Sequence, residues 1–187
     1  MTDINNYRRI FSGIGWPYAD QPGFIVVLGE DKKKDHALPY SPRHYRVLAE
    51  AESTDIEQLR RVSLKYQDDY KLKRVYGDAE NVIYNLWRRK YGSDVVNMVL
   101  PADYDDITLN LLTQLIKRNT QVRKTLHFGP ESKLPGYIVA LMEDRVDMDK
   151  MEKYPALTAL SYPLVQMELR VHIKAEAFRP DRTKNRF

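Results

Sequence analysis

Three short strand-like segments lie at the start of the chain, of which the second is apolar throughout and the third alternates between polar and apolar residues. They cover residues 7–14, 24–28 and 44–51, and each is bounded by glycine, proline or charged residues. Alternation with a period of two places side chains on opposite faces of a strand, and consecutive strands joined by loops favour hairpin pairing. The first fifty residues therefore predict a three-stranded antiparallel meander.

The hydrophobic period changes at residue 54. Thr54-Asp-Ile-Glu57 fits a helix capping box, and Leu59, Val62 and Tyr66 follow at helical spacing. Strand and helix patterns then alternate, with strands at 72–76, 95–100 and 124–128 and helices at 79–91, 107–116, 137–142 and 155–170. A meander followed by such units predicts an α/β fold with a mixed sheet and helices on both faces.

One carboxylate stands where a predicted strand ends and a helix begins. The strand at 72–76 stops at Gly77, and Asp78 follows directly. Functional groups gather at such strand ends, and a carboxylate there is a natural ligand for a hard cation. Asp78 is equally suited to capping a helix that begins at Ala79. Both interpretations stay open at this point.

The composition excludes several classes of protein. The 187 residues suit one compact domain, and 43% hydrophobic with 30% charged residues is not typical of a disordered chain. Without cysteine there are no disulfides, thiolate zinc sites or cysteine nucleophiles. The chain has no apolar run of membrane-spanning length and no phosphate-binding loop of the GxxxxGK[ST] type. We expect a cytoplasmic protein with no membrane partner.

The net charge of +4 is concentrated in the last fourteen residues. Residues 174–187 hold five basic and two acidic residues, which is +3 of the total. We therefore predict a domain over 1–173 and a basic tail over 174–187. Such a tail is suited to binding a polyanion, and the alternative is that it is a solvated chain end. The lysine run at 32–34 could likewise contact phosphates, and the alternative is that it is a solvated hairpin tip. The candidate nucleic-acid contacts are Lys32, Lys33, Lys34, Arg179, Arg182, Lys184 and Arg186.

With its elements in this order, the chain from about residue 7 to 170 resembles the nuclease domain of the large terminase subunit of tailed phages. The matching segments are Ile14-Gly-Trp-Pro-Tyr-Ala-Asp20, Phe24-Ile-Val-Val-Leu28, Arg74-Val-Tyr-Gly-Asp78 and Ala156-Leu-Thr-Ala-Leu-Ser-Tyr162. The resemblance implies an RNase H-like fold. It also implies a protein of bacteriophage or prophage DNA packaging, working in the cytoplasm of a bacterial host.

The resemblance further implies a DNA endonuclease that uses Mg²⁺ or Mn²⁺, with Asp20 and Asp78 as catalytic metal ligands. The chain departs from the family where Gly15 holds the place of the first acid and Thr158 that of the acid in the final helix. Glu152 is the candidate for a displaced third ligand. Two metal ions about 4 Å apart bring four positive charges, which two carboxylates balance poorly.

Two functions therefore remain open. One is a metal-dependent endonuclease acting on double-stranded DNA, with the terminase ATPase domain, the small terminase subunit or the portal as protein partners. The other is a catalytically inactive RNase H-like module that binds DNA or protein. A third alternative is an RNase H-like domain of another lineage, such as a resolvase or transposase.

Overall fold

The structure, a computed structural model, describes residues 3–32, 43–100, 114–122, 124–143 and 153–176. In the last of these ranges the side chains are described up to Met167. The helix predicted over 107–116 lies largely outside the described residues. Helical residues 114–117 lead into a π-helical segment, Arg118–Val122.

The described residues contain six strands that form one sheet. They are β1 (Tyr7–Gly15), β2 (Gly23–Asp31), β3 (Tyr45–Ser53), β4 (Val75–Tyr76), β5 (Met98–Val99) and β6 (Leu126–His127). Their order across the sheet is β5-β4-β1-β2-β3-β6. The last three strands are two residues long, shorter than the patterns at 72–76, 95–100 and 124–128 predict.

The pairing of the strands confirms the predicted mixed sheet. β1, β2 and β3 form an antiparallel meander, while β4 runs parallel to β1, β5 to β4 and β6 to β3. The first strand is therefore central, with an antiparallel neighbour on one side and a parallel one on the other. This is the RNase H-like arrangement that the sequence resemblance implies.

In the described residues, four α-helices accompany the sheet: α1 (Ile56–Asp69), α2 (Val82–Tyr91), α3 (Leu134–Met142) and α4 (Pro155–Glu176). The N-cap of α1 is Asp55, whose side chain accepts a hydrogen bond from the Glu57 backbone N–H. The capping box predicted on Thr54 is therefore wrong by one residue, because the N-cap is the residue whose side chain accepts from the backbone N–H of the first turn, and that residue is Asp55. α4 extends to Glu176, and the predicted boundary between 173 and 174 stays a prediction.

The start of α2 also differs from the sequence prediction. Asn81 is its N-cap, accepting a hydrogen bond from the Ile83 N–H at 2.9 Å, so the helix begins at Val82 rather than at Ala79. Its end agrees with the prediction, because Gly92 has a φ of +57° and its N–H donates to the Arg88 carbonyl. A positive φ at a helix end favours glycine, which has no Cβ to clash.

Apolar side chains cover both faces of the sheet. Alternate residues of β2 point in opposite directions, as the strand period requires. One core joins β2 to α4, and the other joins the sheet to α1 and α2. The first contains Phe24, Val26, Leu28, Leu157, Leu160 and Leu164, and the second contains Ile14, Ile25, Val75, Leu59 and Trp87. The predicted helices on both faces are confirmed.

Candidate functional site

The carboxyl ends of β1 and β4 meet at one end of the sheet. The two strands are parallel neighbours, with Gly13 opposite Tyr76. Just beyond them, the Trp16 indole N–H donates a hydrogen bond of 3.0 Å to the Asp78 carbonyl oxygen. The ends predicted to form the site are therefore adjacent, and a buried indole fixes the backbone that carries Asp78.

The Asp78 side chain is partly exposed and serves the turn that follows β4. Its Oδ1 accepts a hydrogen bond of 2.9 Å from the Glu80 N–H. Of the two interpretations of Asp78, the one that makes it the N-cap of α2 is wrong, because Asn81 occupies that position. Asp78 instead stabilises the turn three residues earlier, which leaves its second carboxylate oxygen available to solvent or a cation.

Asp20 lies in a tight turn between β1 and β2. Tyr18 and Gln21 exchange two backbone hydrogen bonds, at 3.2 and 2.8 Å, so Ala19 and Asp20 are the two central residues. Ala19 has a φ of +48°, and Asp20 is exposed. Asp20 therefore lies at the tip of the β1–β2 turn.

α4 closes the face of β1 at which the resemblance places the first acid. A Cβ added to Gly15 would overlap the carbonyl oxygen of Pro155, and one added to Gly13 would overlap that of Ala159. Both obstacles are helix backbone, which cannot move aside as the end of a side chain does. A carboxylate at position 15 would therefore have to displace the start of α4.

The other degenerate position is buried within α4. Thr158 is 8% exposed, its N–H donates to the Tyr154 carbonyl at 2.9 Å, and its own carbonyl accepts from the Ser161 hydroxyl at 2.8 Å. Its hydroxyl carries no negative charge, and hard divalent cations are held in proteins chiefly by carboxylates. Thr158 therefore does not replace the missing acid.

The described residues do not fit a two-metal centre. Among them, no three side chains of histidine, aspartate or glutamate converge in a way that would hold a metal ion. Glu152, the predicted third ligand, lies outside the described residues. The adjacent ends of β1 and β4 thus provide the Asp78 carboxylate, while Gly15 and Thr158 stand at two positions where the sequence resemblance implies acids.

The predicted nucleic-acid contacts are only partly described. Lys32 is exposed, and its backbone N–H donates to the Asn6 carbonyl at 3.1 Å. The other six, Lys33, Lys34, Arg179, Arg182, Lys184 and Arg186, lie outside the described residues. No helix that the structure describes is long and apolar enough to cross a membrane.

Sequence reasoning missed a pair of facing histidines beside β6. His44 Nδ1 and His127 Nε2 are 2.8 Å apart, the ring centroids 5.1 Å and the ring planes 13° from parallel. The centroid separation equals the N···N distance plus the two ring radii, so the rings meet edge to edge rather than stack. Such collinear nitrogens form an N–H···N hydrogen bond. Their separation of 83 residues in sequence leaves no local signal.

The environment of His127 disfavours its charged form. Partial burial lowers the pKa of His127, and the neighbouring His44 and Arg46 lower it further, while Asp31 opposes them. Burial raises the pKa of Tyr7, Asp31 raises it further and Arg46 opposes them. Because Asp31 and Arg46 also act on His127, Tyr7 belongs to the same group of interacting side chains. The histidine pair therefore holds its hydrogen bond best when at least one ring is neutral.

Comparison with known proteins gives one structural likeness. No protein-family model matches the chain, and no curated protein matches it. The chain is similar to a phage terminase nuclease. That structure is the crystal structure of the g2p (large terminase) nuclease domain from bacteriophage SPP1 with bound Mn. The likeness has a TM-score of 0.48 at 12% identity and covers 76% of this chain and 73% of that chain.

Proposed function

We propose that this chain is an RNase H-like module of phage DNA packaging that binds double-stranded DNA without cleaving it by a two-metal mechanism. The observation that carries the proposal is the contact of α4 with β1. The Pro155 carbonyl occupies the space that a side chain at Gly15 would need. The order of motifs in the sequence supports the packaging context, and the surplus of basic residues supports a polyanionic partner.

The chemistry of the residues supports an inactive site. Two-metal hydrolysis of a phosphodiester needs carboxylates that bridge and hold two divalent ions. At the ends of β1 and β4 the chain provides Asp78, with Asp20 on the neighbouring turn and Gly15 and Thr158 where further acids would stand. One or two carboxylates are sufficient to bind Mg²⁺ weakly when phosphates complete its shell, but not to build a two-metal centre.

A divalent-metal endonuclease is the second candidate. It is favoured by one observation, the partly exposed Asp78 carboxylate beside the end of β1, where the resemblance places a catalytic acid. In that case Asp78 and Asp20 would hold Mg²⁺ or Mn²⁺. The terminase ATPase domain, the small terminase subunit and the portal are proposed as protein partners under either function.

Incubation with supercoiled plasmid separates the two candidates. The protein is mixed with plasmid and Mn²⁺, and Asp78→Asn and Asp20→Asn are tested in parallel. We expect no nicking by the parent protein at high protein and metal concentrations. Nicking that Asp78→Asn abolishes would overturn the proposal in favour of the endonuclease, while nicking that survives both substitutions would come from another source.

DNA binding is tested separately by fluorescence anisotropy with a labelled duplex. We expect the affinity to fall steeply as salt is raised, because contacts with phosphates release counterions. An affinity that does not change with salt, or the absence of binding at low salt, would contradict the proposal. The measurement does not depend on whether the protein cleaves DNA, so it tests the binding part alone.

A further inference from the structure

A buried glutamate at the end of β2 forms ion pairs with three arginines. Glu30 is 2% exposed. Its Oε2 lies 2.5 Å from Arg9 Nη2, and its Oε1 lies 3.4 Å from Arg43 Nη1 and 3.9 Å from Arg8 Nη1. Arg9 also donates a hydrogen bond of 3.2 Å to the Met167 carbonyl of α4. We call Arg8, Arg9, Arg43 and Glu30 the arginine cluster.

An irregularity in β1 brings two consecutive arginines to the same carboxylate. In the β1–β2 register Tyr7 pairs with Asp31 and Arg9 with Glu30, so Arg8 is an extra residue without a partner. Successive side chains of a regular strand point to opposite faces, whereas a β-bulge re-aims a side chain. The bulge therefore accounts for Arg8 and Arg9 both reaching Glu30.

The arginine cluster carries more positive charge than its carboxylate neutralises. Three guanidinium groups share one glutamate, which leaves a surplus of two positive charges. The nearby Asp31 does not remove this surplus, because it forms its own ion pair with Arg46 at 3.5 Å. The Arg8 side chain is 61% exposed, and exposed Lys32 follows Asp31, so the surplus faces solvent.

We propose that the arginine cluster is a phosphate-binding site for the DNA backbone, at the end of the sheet opposite Asp78. The inference rests on the proposed function. Planar guanidinium groups match the geometry of phosphate oxygens and form paired hydrogen bonds with them. Glu30 holds the arginines in place before binding, which reduces the ordering cost of the contact. The DNA then lies away from the face of β1 that α4 covers at Gly15.

The test is the salt dependence of duplex binding by the full chain. Arg8→Gln and Arg43→Gln each remove one cation from the cluster, and Arg61→Gln removes an exposed cation from α1, on the other face of the sheet. We expect each cluster variant to lower the affinity by about threefold to tenfold and to reduce the slope of log K against log salt by about one. The Arg61→Gln variant should retain the parent slope.

The outcomes separate this inference from the proposed function. If the parent protein binds the duplex and both cluster variants bind it with the same affinity and the same salt slope, the inference is overturned. DNA binding itself would then remain supported, with its contacts elsewhere on the chain. Failure of the parent protein to bind the duplex would overturn both. Circular dichroism melting of each variant distinguishes a lost contact with DNA from unfolding of the protein. Because the Arg8 side chain is more exposed than that of Arg43, Arg8→Gln is expected to disturb the fold less.

Discussion

Gly15 of the central strand lies directly against the carbonyl oxygen of Pro155, the first residue of the helix that crosses it. This contact links the packing of the domain to its chemistry. The close approach of α4 requires a residue without a Cβ, and a residue without a Cβ provides no ligand. A change that restored an acid here would therefore have to weaken the fold.

Gly15→Ala should destabilise the domain strongly. The new methyl group overlaps helix backbone rather than a movable side chain, and such overpacking costs about 1–3 kcal/mol or more. Urea denaturation followed by circular dichroism measures the loss. Gly129→Ala is the matched control, because a Cβ there meets no atom within 4 Å and its φ is not positive. Equal stability of the two variants would contradict the packing described for β1 and α4.

Glu30→Gln should also lower stability, because it removes the only carboxylate of the arginine cluster and leaves three guanidinium groups together. Breaking a buried ion pair from one side costs about 3–5 kcal/mol, and partial solvation of the arginines should bring the loss to the lower end. The measurement is again urea denaturation. Glu80→Gln makes the same chemical change at an exposed position and should alter stability by less than about 0.5 kcal/mol. A Glu30→Gln variant as stable as Glu80→Gln would be evidence against the buried ion cluster.

Stability should fall on acidification through the range in which histidines titrate. The folded protein lowers the pKa of His127 below its unfolded value of about 6.5, so the unfolded chain binds more protons below that pH. The stabilisation is therefore present above about pH 6.5 and is lost as the pH falls towards the folded pKa of His127. Doubly protonated rings would also direct two N–H groups at each other.

Thermal melting between pH 5 and 8 checks this dependence. The parent protein should lose melting temperature as the pH is lowered, and His127→Gln should flatten the profile. A profile that is unchanged by His127→Gln would assign the pH dependence to other groups.

Asn81→Ala should shorten or weaken α2 by removing its N-cap. The loss of the hydrogen bond to the Ile83 N–H should cost about 1 kcal/mol, whereas Asn81→Gly should cost only a few tenths, about 0.3 kcal/mol. Urea denaturation of the two variants gives the comparison. If Asp78→Ala proved costly and Asn81→Ala neutral, the cap would lie at Asp78 after all.

Much of the fold followed from local patterns in the sequence. The three consecutive strand-like segments at 7–14, 24–28 and 44–51 predicted the meander. Gly92 marked the end of α2, because a positive φ at a helix end favours glycine. The starts of the helices were harder to predict where two residues able to cap a helix lay close together in the sequence. Asp55 and Asn81 cap their helices although Thr54 and Asp78 also fit the local rules, and the choice depends on backbone angles that a sequence does not display.

The candidate site was predictable only in part, because its decisive contacts join distant residues. Sequence order placed Asp78 directly after a strand, and the structure has that strand, β4, as a parallel neighbour of β1. The occupation of the Gly15 face by Pro155, the gathering of arginines on Glu30 and the pairing of His44 with His127 all depend on tertiary packing. Each joins residues more than ten positions apart, so no local period reveals it.

The contact of α4 with β1 has a consequence for biosynthesis. The central strand ends at Gly15, but the helix that covers it begins at Pro155. During translation the surface of β1 that contains Gly13 and Gly15 therefore stays uncovered until the helix that begins at Pro155 has been made. Pairings between such distant segments form slowly, and uncovered strands favour aggregation. We expect fragments that end before residue 155 to accumulate as insoluble protein, even though they contain the entire meander.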